Sequence, residues 1–378
     1  MVRLTVRLGL IALVCGCGRI AFDPAAIDGV TCSGGFARTS YPAGGEPRVV
    51  ALGDLDRDGA LDVVVGNGGS GTVGVYRGTG DGTLQPAVEY PAGTHPWSLS
   101  LGDLTGTGVL DLVVGNYDDN TINVYRNVGG DFAAPSTLDA GKTPQSVAVG
   151  DLTGDGIGDV VVAEFEADVV GVFRAAGGGQ LEARVDVPAG ARPYSVAIAD
   201  LDGDGVRDVV ATDTSNSAVS VLHNKGDGTL LPPQQFASGT GAQAWHVTAA
   251  DLDRDGAMDL IVANNYSTST LGVLLGNGDG TFAPATALPA GYNPWWVVAI
   301  DLDRDGALDL ALANGESNSA SYYLGRGDGT FAPKQDLAAG LDPLSIAAGD
   351  LDGDGAPDLV TANSLDDTIS VFRNCDSF

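Results

Sequence analysis

An acidic segment of nine residues recurs seven times along this 378-residue sequence. The copies begin at Asp54, Asp103, Asp151, Asp200, Asp251, Asp301 and Asp350. Successive copies start 48 to 51 residues apart, and self-similarity at a nearly fixed period of this size indicates a repeat architecture. The repeats occupy the chain from about residue 31 to its end, so we expect a single repetitive domain over residues 31–378.

Each repeat contains four short segments with strand character. In the sixth repeat they read WWVVAID (295–301), LALAN (310–314), SASYYL (319–324) and GRGDGTFAPKQDL (325–337). β-Branched, aromatic or alternating apolar residues fill these segments, and Gly, Asp and Asn separate them. The 3.6-residue periodicity of a helical solenoid is missing. Four strands in every 40 to 50 residues are typical of a propeller blade, so the sequence predicts an all-β, seven-bladed β-propeller with four-stranded blades.

The two ends of the repeat region complement one another. The last repeat stops after its third strand, at residues 372–375 (FRNC), whereas residues 35–38 (GFAR) and 42–44 (PAG) match fourth-strand segments at 330–333 (TFAP) and 289–291 (PAG). We therefore predict that the N-terminal strand completes the seventh blade and closes the ring, which removes two exposed sheet edges.

The same alignment brings two cysteines together. Superposing the seam on an intact repeat places Cys375 and Cys32 at adjacent positions, those of Lys225 and Gly226, in the turn between the third and fourth strands. Cysteines of exported proteins tend to pair. We predict a Cys32–Cys375 disulfide that locks the ring, with two free thiols as the alternative.

The acidic segments have the composition of metal-binding loops. In the segment DLDRDGALD (54–62), positions one, three, five and nine carry carboxylates, position six is a glycine that permits a sharp turn, and position seven supplies its backbone carbonyl. Six to eight hard oxygen ligands suit Ca²⁺ better than Mg²⁺, which tends to keep its water. Without a cation, four carboxylates within nine residues repel one another.

Five loops carry all the predicted ligands, and two carry fewer. The complete sets are Asp54, Asp56, Asp58, Ala60 and Asp62; Asp200, Asp202, Asp204, Val206 and Asp208; Asp251, Asp253, Asp255, Ala257 and Asp259; Asp301, Asp303, Asp305, Ala307 and Asp309; and Asp350, Asp352, Asp354, Ala356 and Asp358. The third loop retains Asp151, Asp155 and Asp159, and the second retains only Asp103 and Asp111. We expect five to seven Ca²⁺ ions, the second loop being the one most easily left empty.

The D-x-D-x-D-G-x-x-D loops, together with the segment GDGTFAP (278–284) and its copies, resemble the FG-GAP or VCBS repeats of integrin α subunits and of many exported bacterial proteins. The resemblance covers essentially the whole predicted domain. It implies a seven-bladed propeller that binds Ca²⁺ between the first and second strands of its blades. This chain has shorter blades than integrins, more complete loops and no inserted domain, so an integrin partner is not implied.

The opposite face is predicted to carry a ring of side chains. The residue that enters each inner strand follows a proline in six repeats, and the series reads Arg48, Trp97, Gln145, Tyr194, Trp245, Trp295 and Leu344. Two interpretations remain open. The ring either plugs the central channel, or its aromatic members Trp97, Tyr194, Trp245 and Trp295 form a stacking surface for a glycan or peptide ligand.

The N-terminus is typical of an export signal. Arg3 and Arg7 precede a short apolar stretch, and the segment VCGC (14–17) resembles a bacterial lipobox. We predict a lipoprotein signal peptide over residues 1–16, lipidation of Cys17 and a linker over residues 17–30. The protein would then be exported and anchored at the outer membrane or cell surface, with a cleaved secretory signal and a periplasmic or secreted protein as the alternative.

Charge and motif content narrow the function. A formal charge of −30 disfavours nucleic acid as a partner, because the phosphates would be repelled. The three histidines belong to no nucleophile motif, and phosphate-loop, zinc and dinucleotide motifs are missing, so we expect no enzymatic activity. We expect a monomeric, calcium-stabilised adhesion or scaffold propeller with an unknown protein or glycan partner, which contacts membrane only through its lipid. Lectin-like glycan binding is the alternative, and a propeller enzyme such as a polysaccharide lyase is less favoured.

Overall fold

The computed structural model describes residues 35–239, 242–266 and 269–375. Over these ranges the chain forms seven four-stranded antiparallel sheets and two small two-stranded hairpins. The helical structure within them is one short 3₁₀ turn, Thr214–Asn216. The predicted all-β architecture with seven four-stranded blades is therefore confirmed.

Strand β1 (Phe36–Pro42) precedes the first complete blade. Blade 1 contains β2 (Pro47–Gly53), β3 (Asp62–Asn67), β4 (Thr72–Tyr76) and β5 (Val88–Pro91); blade 2 contains β6 (Pro96–Gly102), β7 (Asp111–Asn116), β8 (Thr121–Tyr125), the hairpin β9 (Asn127–Val128) and β10 (Asp131–Phe132), and β11 (Ser136–Asp139). Blade 3 contains β12 (Pro144–Gly150), β13 (Asp159–Glu164), β14 (Val169–Phe173), the hairpin β15 (Ala175–Gly177) and β16 (Gln180–Leu181), and β17 (Val185–Pro188). Blade 4 contains β18 (Val196–Ala199), β19 (Asp208–Asp213), β20 (Ala218–Leu222) and β21 (Gln234–Ala237). Blade 5 contains β22 (Ala242–Ala250), β23 (Asp259–Tyr266), β24 (Thr270–Leu274) and β25 (Thr286–Pro289); blade 6 contains β26 (Pro294–Ile300), β27 (Asp309–Asn314), β28 (Ser319–Tyr323) and β29 (Gln335–Ala338); and blade 7 contains β30 (Pro343–Gly349), β31 (Asp358–Asn363) and β32 (Thr368–Asn374).

The hydrophobic core is divided among the interfaces between blades. In blade 1, Val64 packs toward blade 2, whereas Val63 and Val65 pack toward blade 7, because alternate side chains of a strand leave opposite faces of the sheet. Each of the seven hydrophobic clusters likewise joins two adjacent blades. The second strands are therefore buried on both faces, which explains why they read as continuous apolar runs.

Strand β1 closes the ring. It pairs antiparallel with β32, from Phe36 opposite Asn374 to Pro42 opposite Thr368, and so becomes the fourth strand of blade 7. The buried Phe36 ring also meets Tyr322 of blade 6 edge-to-face, with ring centroids 5.5 Å apart. The predicted closure by the N-terminal strand is confirmed.

The acidic loops are anchored to the neighbouring blade through the leucine at position two. This side chain is at most 2% exposed in every loop, at Leu55, Leu104, Leu152, Leu201, Leu252, Leu302 and Leu351. Its carbonyl accepts a hydrogen bond from the end of the third strand of the next blade or from the turn that follows that strand. Examples are Asn374 Nδ2 to Leu302 O (2.8 Å) and, across the seam, Gly82 N to Leu351 O (3.1 Å). These turns therefore fasten each acidic loop to the adjacent blade.

Candidate functional site in the acidic loops and the axial ring

The acidic loops bring together carboxylates that the sequence predicts as ligands. In the loops 54–62, 200–208 and 251–259, oxygens of the carboxylates at positions one, three and five lie within 4.8 Å of one another. In the loop 301–309, positions one, three and nine do so. Calcium–oxygen distances are about 2.3–2.6 Å, so two ligands of one ion are at most about 5 Å apart. The spacing of these oxygens therefore suits a single calcium ion in each loop.

Short-range hydrogen bonds shape every complete loop. The position-one carboxylate accepts from the amide of the position-six glycine, as in Gly306 N to Asp301 Oδ2 (2.9 Å). The carboxylates at positions three and five each accept from the amide two residues later, as in Asp305 N to Asp303 Oδ1 (3.2 Å). Aspartate favours such local bonds with its own backbone, so the sequence folds each loop around a centre of carboxylate oxygens.

The aspartate at position nine is buried beneath the acidic loop and accepts hydrogen bonds from backbone amides. It is at most 1% exposed in all seven blades. In blade 7, Asp358 accepts from the backbone amides of Leu351 (2.9 Å) and Asn374 (2.7 Å), one on each carboxylate oxygen. Burial raises the pKa of Asp358 to about 7 and that of Asp259 to about 6. The sequence predicts these residues only as ligands; the structure also makes them the link between the loop and the end of the third strand.

Three loops contain a buried carboxylate oxygen that has no hydrogen-bond partner among the described residues. They are Oδ1 of Asp54, Asp251 and Asp301, each at position one. A buried, unpaired carboxylate oxygen is costly, because it has lost its water without gaining a donor. A hard cation is a suitable partner for such an oxygen. The fit of these loops to calcium therefore rests on the unpaired oxygens in the structure as well as on the acidic composition of the loops.

The two incomplete loops satisfy their own carboxylates. Asp103 accepts from the backbone amides of Thr105, Gly106, Thr107 and Gly108, at 2.5–3.1 Å. Burial acts to raise the pKa of Asp103, but these amides outweigh it and hold the pKa below its usual value. Asp151 is bonded in the same way by four amides of its own loop. These loops offer a cation fewer free oxygens than the complete ones.

His223 is a site residue that the sequence analysis does not identify. Its Nδ1 lies 3.2 Å from Asp208 Oδ2 and 3.4 Å from Asp202 Oδ2, inside the fourth loop. The corresponding residue of blade 1 is Arg77, whose Nη1 lies 2.6 Å from Asp62 Oδ2. The position of His223 in the repeat was the signal that could have identified it. When the residues that follow the third strands are aligned, His223 takes the place of Arg77, which pairs with the position-nine aspartate of blade 1.

The predicted ring lines one cavity on the axis. All seven side chains, Arg48, Trp97, Gln145, Tyr194, Trp245, Trp295 and Leu344, contribute to its wall, and its volume is about 30 Å³. In six blades the inner strand has a β-bulge at this residue, as between Pro294 and Trp296, and the extra residue points its side chain to the axis. A volume of this size holds a water molecule or two and not a sugar ring.

The aromatic members of the ring form two groups. Tyr194, Trp245 and Trp295 contact one another, with ring centroids 4.4 Å and 4.5 Å apart for the successive pairs. Trp97 instead packs against Tyr117 (5.2 Å), and Arg48 lies 4.3 Å from the centroid of the Trp97 ring. This geometry favours the plug interpretation for the first group, and in the second group the Trp97 ring already packs against Arg48 and Tyr117.

Comparison with known sequences gives matches to an FG-GAP-like repeat over residues 54–114, 103–162, 154–211, 200–262, 255–312 and 301–361. Together these cover more than half of the chain. The chain belongs to the FG-GAP-like repeat family. Each match extends from one acidic loop to the next and so includes the loop residues that form the candidate metal site. No curated protein matches the chain.

Solved structures similar to this FG-GAP-like propeller have diverse functions. An Agrocybe aegerita lectin that recognises non-reducing terminal N-acetylglucosamine is 22% identical, with a TM-score of 0.59 over 91% of this chain and 96% of the lectin. BBS1N, solved in complex with ARL6DN, is 14% identical, with a TM-score of 0.64 over 89% and 95% of the two chains. Virginiamycin B lyase from Staphylococcus aureus is 14% identical, with a TM-score of 0.63 over 89% and 99%. At these identities the likeness shows the fold alone.

Four predictions concern residues outside the described ranges: the signal peptide over residues 1–16, the linker over residues 17–30, the lipid on Cys17 and the disulfide through Cys32. Cys17 and Cys32 both lie there, so lipidation and the disulfide stay predictions. At the described end of the seam, Cys375 N donates to Gly35 O at 2.8 Å. Gly35 is three residues from Cys32 in the sequence, so the position of Cys375 is consistent with the predicted disulfide. Within the described parts of this FG-GAP-like propeller, no helix has the length and apolar character needed to cross a membrane.

Proposed function

We propose that this FG-GAP-like propeller is a calcium-stabilised binding or scaffold module, exported and held at a bacterial surface by a lipid on Cys17. The three unpartnered Oδ1 atoms of Asp54, Asp251 and Asp301 carry the calcium assignment. Carboxylates at positions one, three, five and nine and the carbonyl at position seven would hold each ion. The loops contain 25 of the 49 acidic residues, so bound cations would offset a large part of the net charge of −30.

Thermal unfolding tests the calcium assignment directly. An ion that binds only the folded state stabilises it by mass action, so calcium should raise the melting temperature and EDTA should lower it. Magnesium at the same concentration is the control, and it should have a smaller effect because it gives up its water reluctantly. A melting temperature that is the same in calcium and in EDTA would remove calcium from the proposal.

The described histidines support binding over catalysis, because each is engaged in packing or pairing. His246 is buried with its ring 4.0 Å from that of Trp296, and burial lowers its pKa to about 3, so it stays neutral. His223 is held by two aspartates, as described above, and His95 lies between Asp118 and Trp97. We expect no turnover in an activity screen on polysaccharides, and reproducible cleavage there would contradict this part of the proposal.

The face that carries the axial ring also has an apolar patch suited to a protein partner. Tyr292 is 72% exposed, Leu365 71% and Leu341 48%. All three lie in loops on this side of the propeller. Leu365 N donates to Leu341 O at 3.1 Å, so the two leucines are neighbours and form the apolar patch. Exposed apolar residues that cluster are typical of interaction sites. We therefore assign the partner-binding surface to this patch.

Capture from a native surface extract tests the patch. Leu341→Asp combined with Leu365→Asp should lose the partner that the parent protein retains in calcium. Val88→Asp combined with Val185→Asp places the same charges on exposed positions of outer strands and should retain it. If both double variants capture the same partner as the parent, the surface is wrongly assigned.

Glycan binding is a second candidate function, and the partly exposed Trp97 with Arg48 and Tyr117 beside it is the observation that favours it. Aromatic rings bind sugar faces with little loss of side-chain entropy. On a glycan array, Trp97→Ala should abolish a signal that Tyr292→Ala retains, since Tyr292 is an exposed aromatic residue in a different loop, the one that precedes blade 6. Trp245→Ala and Trp295→Ala would separate direct contact from support of the ring. An array with no signal for the parent protein would leave the protein-binding proposal alone.

Metabolic labelling with a fatty acid tests the anchor. Cys17→Ser should abolish incorporation of the label and release the protein from the membrane fraction, whereas Cys15→Ser should leave both unchanged. A labelled Cys17→Ser variant would refute lipidation at this cysteine.

A further inference from the structure

The residue at position four divides the seven acidic loops into two classes. It has a positive φ, between 61° and 75°, in every loop. Four loops place glycine there, and we call them the glycine loops: Gly106, Gly154, Gly203 and Gly353. Three place arginine there, and we call them the arginine loops: Arg57, Arg254 and Arg304. A residue with a Cβ is strained in this conformation, whereas glycine is not, and retained backbone strain often marks a functional constraint.

The hydrogen bonds of position one follow the same division. In each glycine loop the amide of position four donates to the position-one Oδ1, at 2.7–2.8 Å. In each arginine loop that Oδ1 is the buried oxygen without a partner. The backbone differs accordingly: φ is 72–75° at the glycines and 61–64° at the arginines. Glycine can rotate further, and its amide then reaches the carboxylate.

The arginine side chains also bond to the next blade. Arg57 Nη2 donates to Thr107 O (3.0 Å), Arg254 Nη2 to Asp305 O (3.4 Å) and Arg304 Nη1 to Asp354 O (3.2 Å). Each acceptor is the position-five carbonyl of the following loop. These bonds hold the strained residue in place, and they are made by the same three loops that keep a free oxygen.

We propose that the three arginine loops are the high-affinity calcium sites of the propeller and that the residue at position four sets this affinity. The inference rests on the calcium binding proposed above. In an arginine loop the ion gains an oxygen that no donor occupies, whereas in a glycine loop it competes with an amide for the same atom. The glycine loops 200–208 and 350–358 have the same four carboxylates as the arginine loops, so carboxylate number does not explain the difference. Loss of one hydrogen bond to a charged group corresponds to about tenfold in affinity.

Calorimetric titration of the metal-free full chain with Ca²⁺ tests this inference. We expect a tight class of three sites and a weaker class about tenfold lower in affinity. Arg57→Gly should convert its loop and reduce the tight class to two. This loop is the cleanest to change, because its neighbour, 103–111, has only two aspartates. The variant relieves strain, so it should fold, which circular dichroism checks.

Arg57→Lys is the matched control. It keeps the Cβ and the strained φ but loses the guanidinium bond to Thr107, so the tight class should remain three. Five tight sites in the parent, or three in Arg57→Gly, would overturn the inference while leaving calcium binding intact. Loss of a tight site in Arg57→Lys would also overturn it, because the side-chain bond and not the backbone would then set the affinity. If the parent shows no calcium binding, the proposed function fails along with it.

Discussion

Replacing Glu164 by glutamine should make the propeller more stable at alkaline pH and leave it nearly unchanged at acid pH. Glu164 ends the second strand of blade 3 and is 1% exposed. The equivalent residue is asparagine in five blades: Asn67, Asn116, Asn264, Asn314 and Asn363. The Nη1 atom of Arg184 lies 3.4 Å from Glu164 Oε1, and Lys142 N donates to Oε2 at 3.2 Å. Burial outweighs both contacts and raises the pKa of Glu164 to about 7.

The sign follows from linkage between proton binding and folding. The folded-state pKa of about 7 lies above the ordinary value of 4.5, so the folded protein holds this proton more tightly than the unfolded chain does. Stability therefore falls as the pH rises from about 4.5 to about 7, and above pH 7 the whole penalty is present. The difference in pKa corresponds to at most about 3 kcal/mol. Glutamine carries no charge at any pH, so it avoids this penalty. Arg184 keeps Asp186 at 2.7 Å as a partner.

Differential scanning calorimetry at pH 5 and pH 8 in saturating calcium measures the effect. The melting temperature of Glu164→Gln minus that of the parent should be small at pH 5 and clearly positive at pH 8. Glu182→Gln is the control, because Glu182 is about half exposed and pairs with Arg174 at the surface; it should give no pH-dependent difference. A Glu164→Gln difference that is equal at the two pH values would refute the argument that burial of the charge is the cause.

Three further predictions concern the seam and the interfaces between blades. Leu302→Ala should destabilise the fold by about 2–5 kcal/mol in chemical denaturation, because it leaves a cavity under an acidic loop, whereas Leu365→Ala at an exposed site should change stability by less than about 0.5 kcal/mol. A chain that starts at residue 46 loses β1 and exposes the edge of β32, so light scattering should show concentration-dependent association; a chain that starts at residue 35 should stay monomeric. Cys375→Ser should lower the melting temperature under oxidising conditions but not in reductant, because it removes the predicted seam disulfide; an unchanged melting temperature under oxidising conditions would refute that disulfide.

The sequence was sufficient to predict the fold because the information is repeated. Seven acidic segments at one period define the blades, and the mismatch between an incomplete last repeat and an extra first strand defines the seam. Both features belong to the chain as a whole, so an error in the prediction of a single strand does not change the predicted fold. The clustering of carboxylates at positions one, three and five was predictable for the same reason, since D-x-D-x-D-G fixes a short loop with its own hydrogen bonds.

Other features of the site depend on contacts that a repeat pattern does not encode. The ring positions were predicted, but whether Trp245 and Trp295 face a ligand or each other depends on the width of the channel. The second role of Asp358 depends on how the third strand returns to the loop. His223 was missed because blade 1 has a different residue, Arg77, in the same role. In each case the sequence gives the residue and its position, and packing gives its partner.

The direction of the contacts between blades links the acidic loops to the closure of the ring. Every loop is bonded forward, from the carbonyl of its position-two leucine to the next blade's turn, and the bond from Gly82 N to Leu351 O carries this pattern across the seam. An ion bound as proposed above would therefore order one blade interface along with its loop. Because the ring has no terminal blade, each interface is supported from both sides, and each acidic loop is flanked by two others. The self-satisfied loops 103–111 and 151–159 lie between loop 54–62 and loop 200–208, each of which has four aspartates.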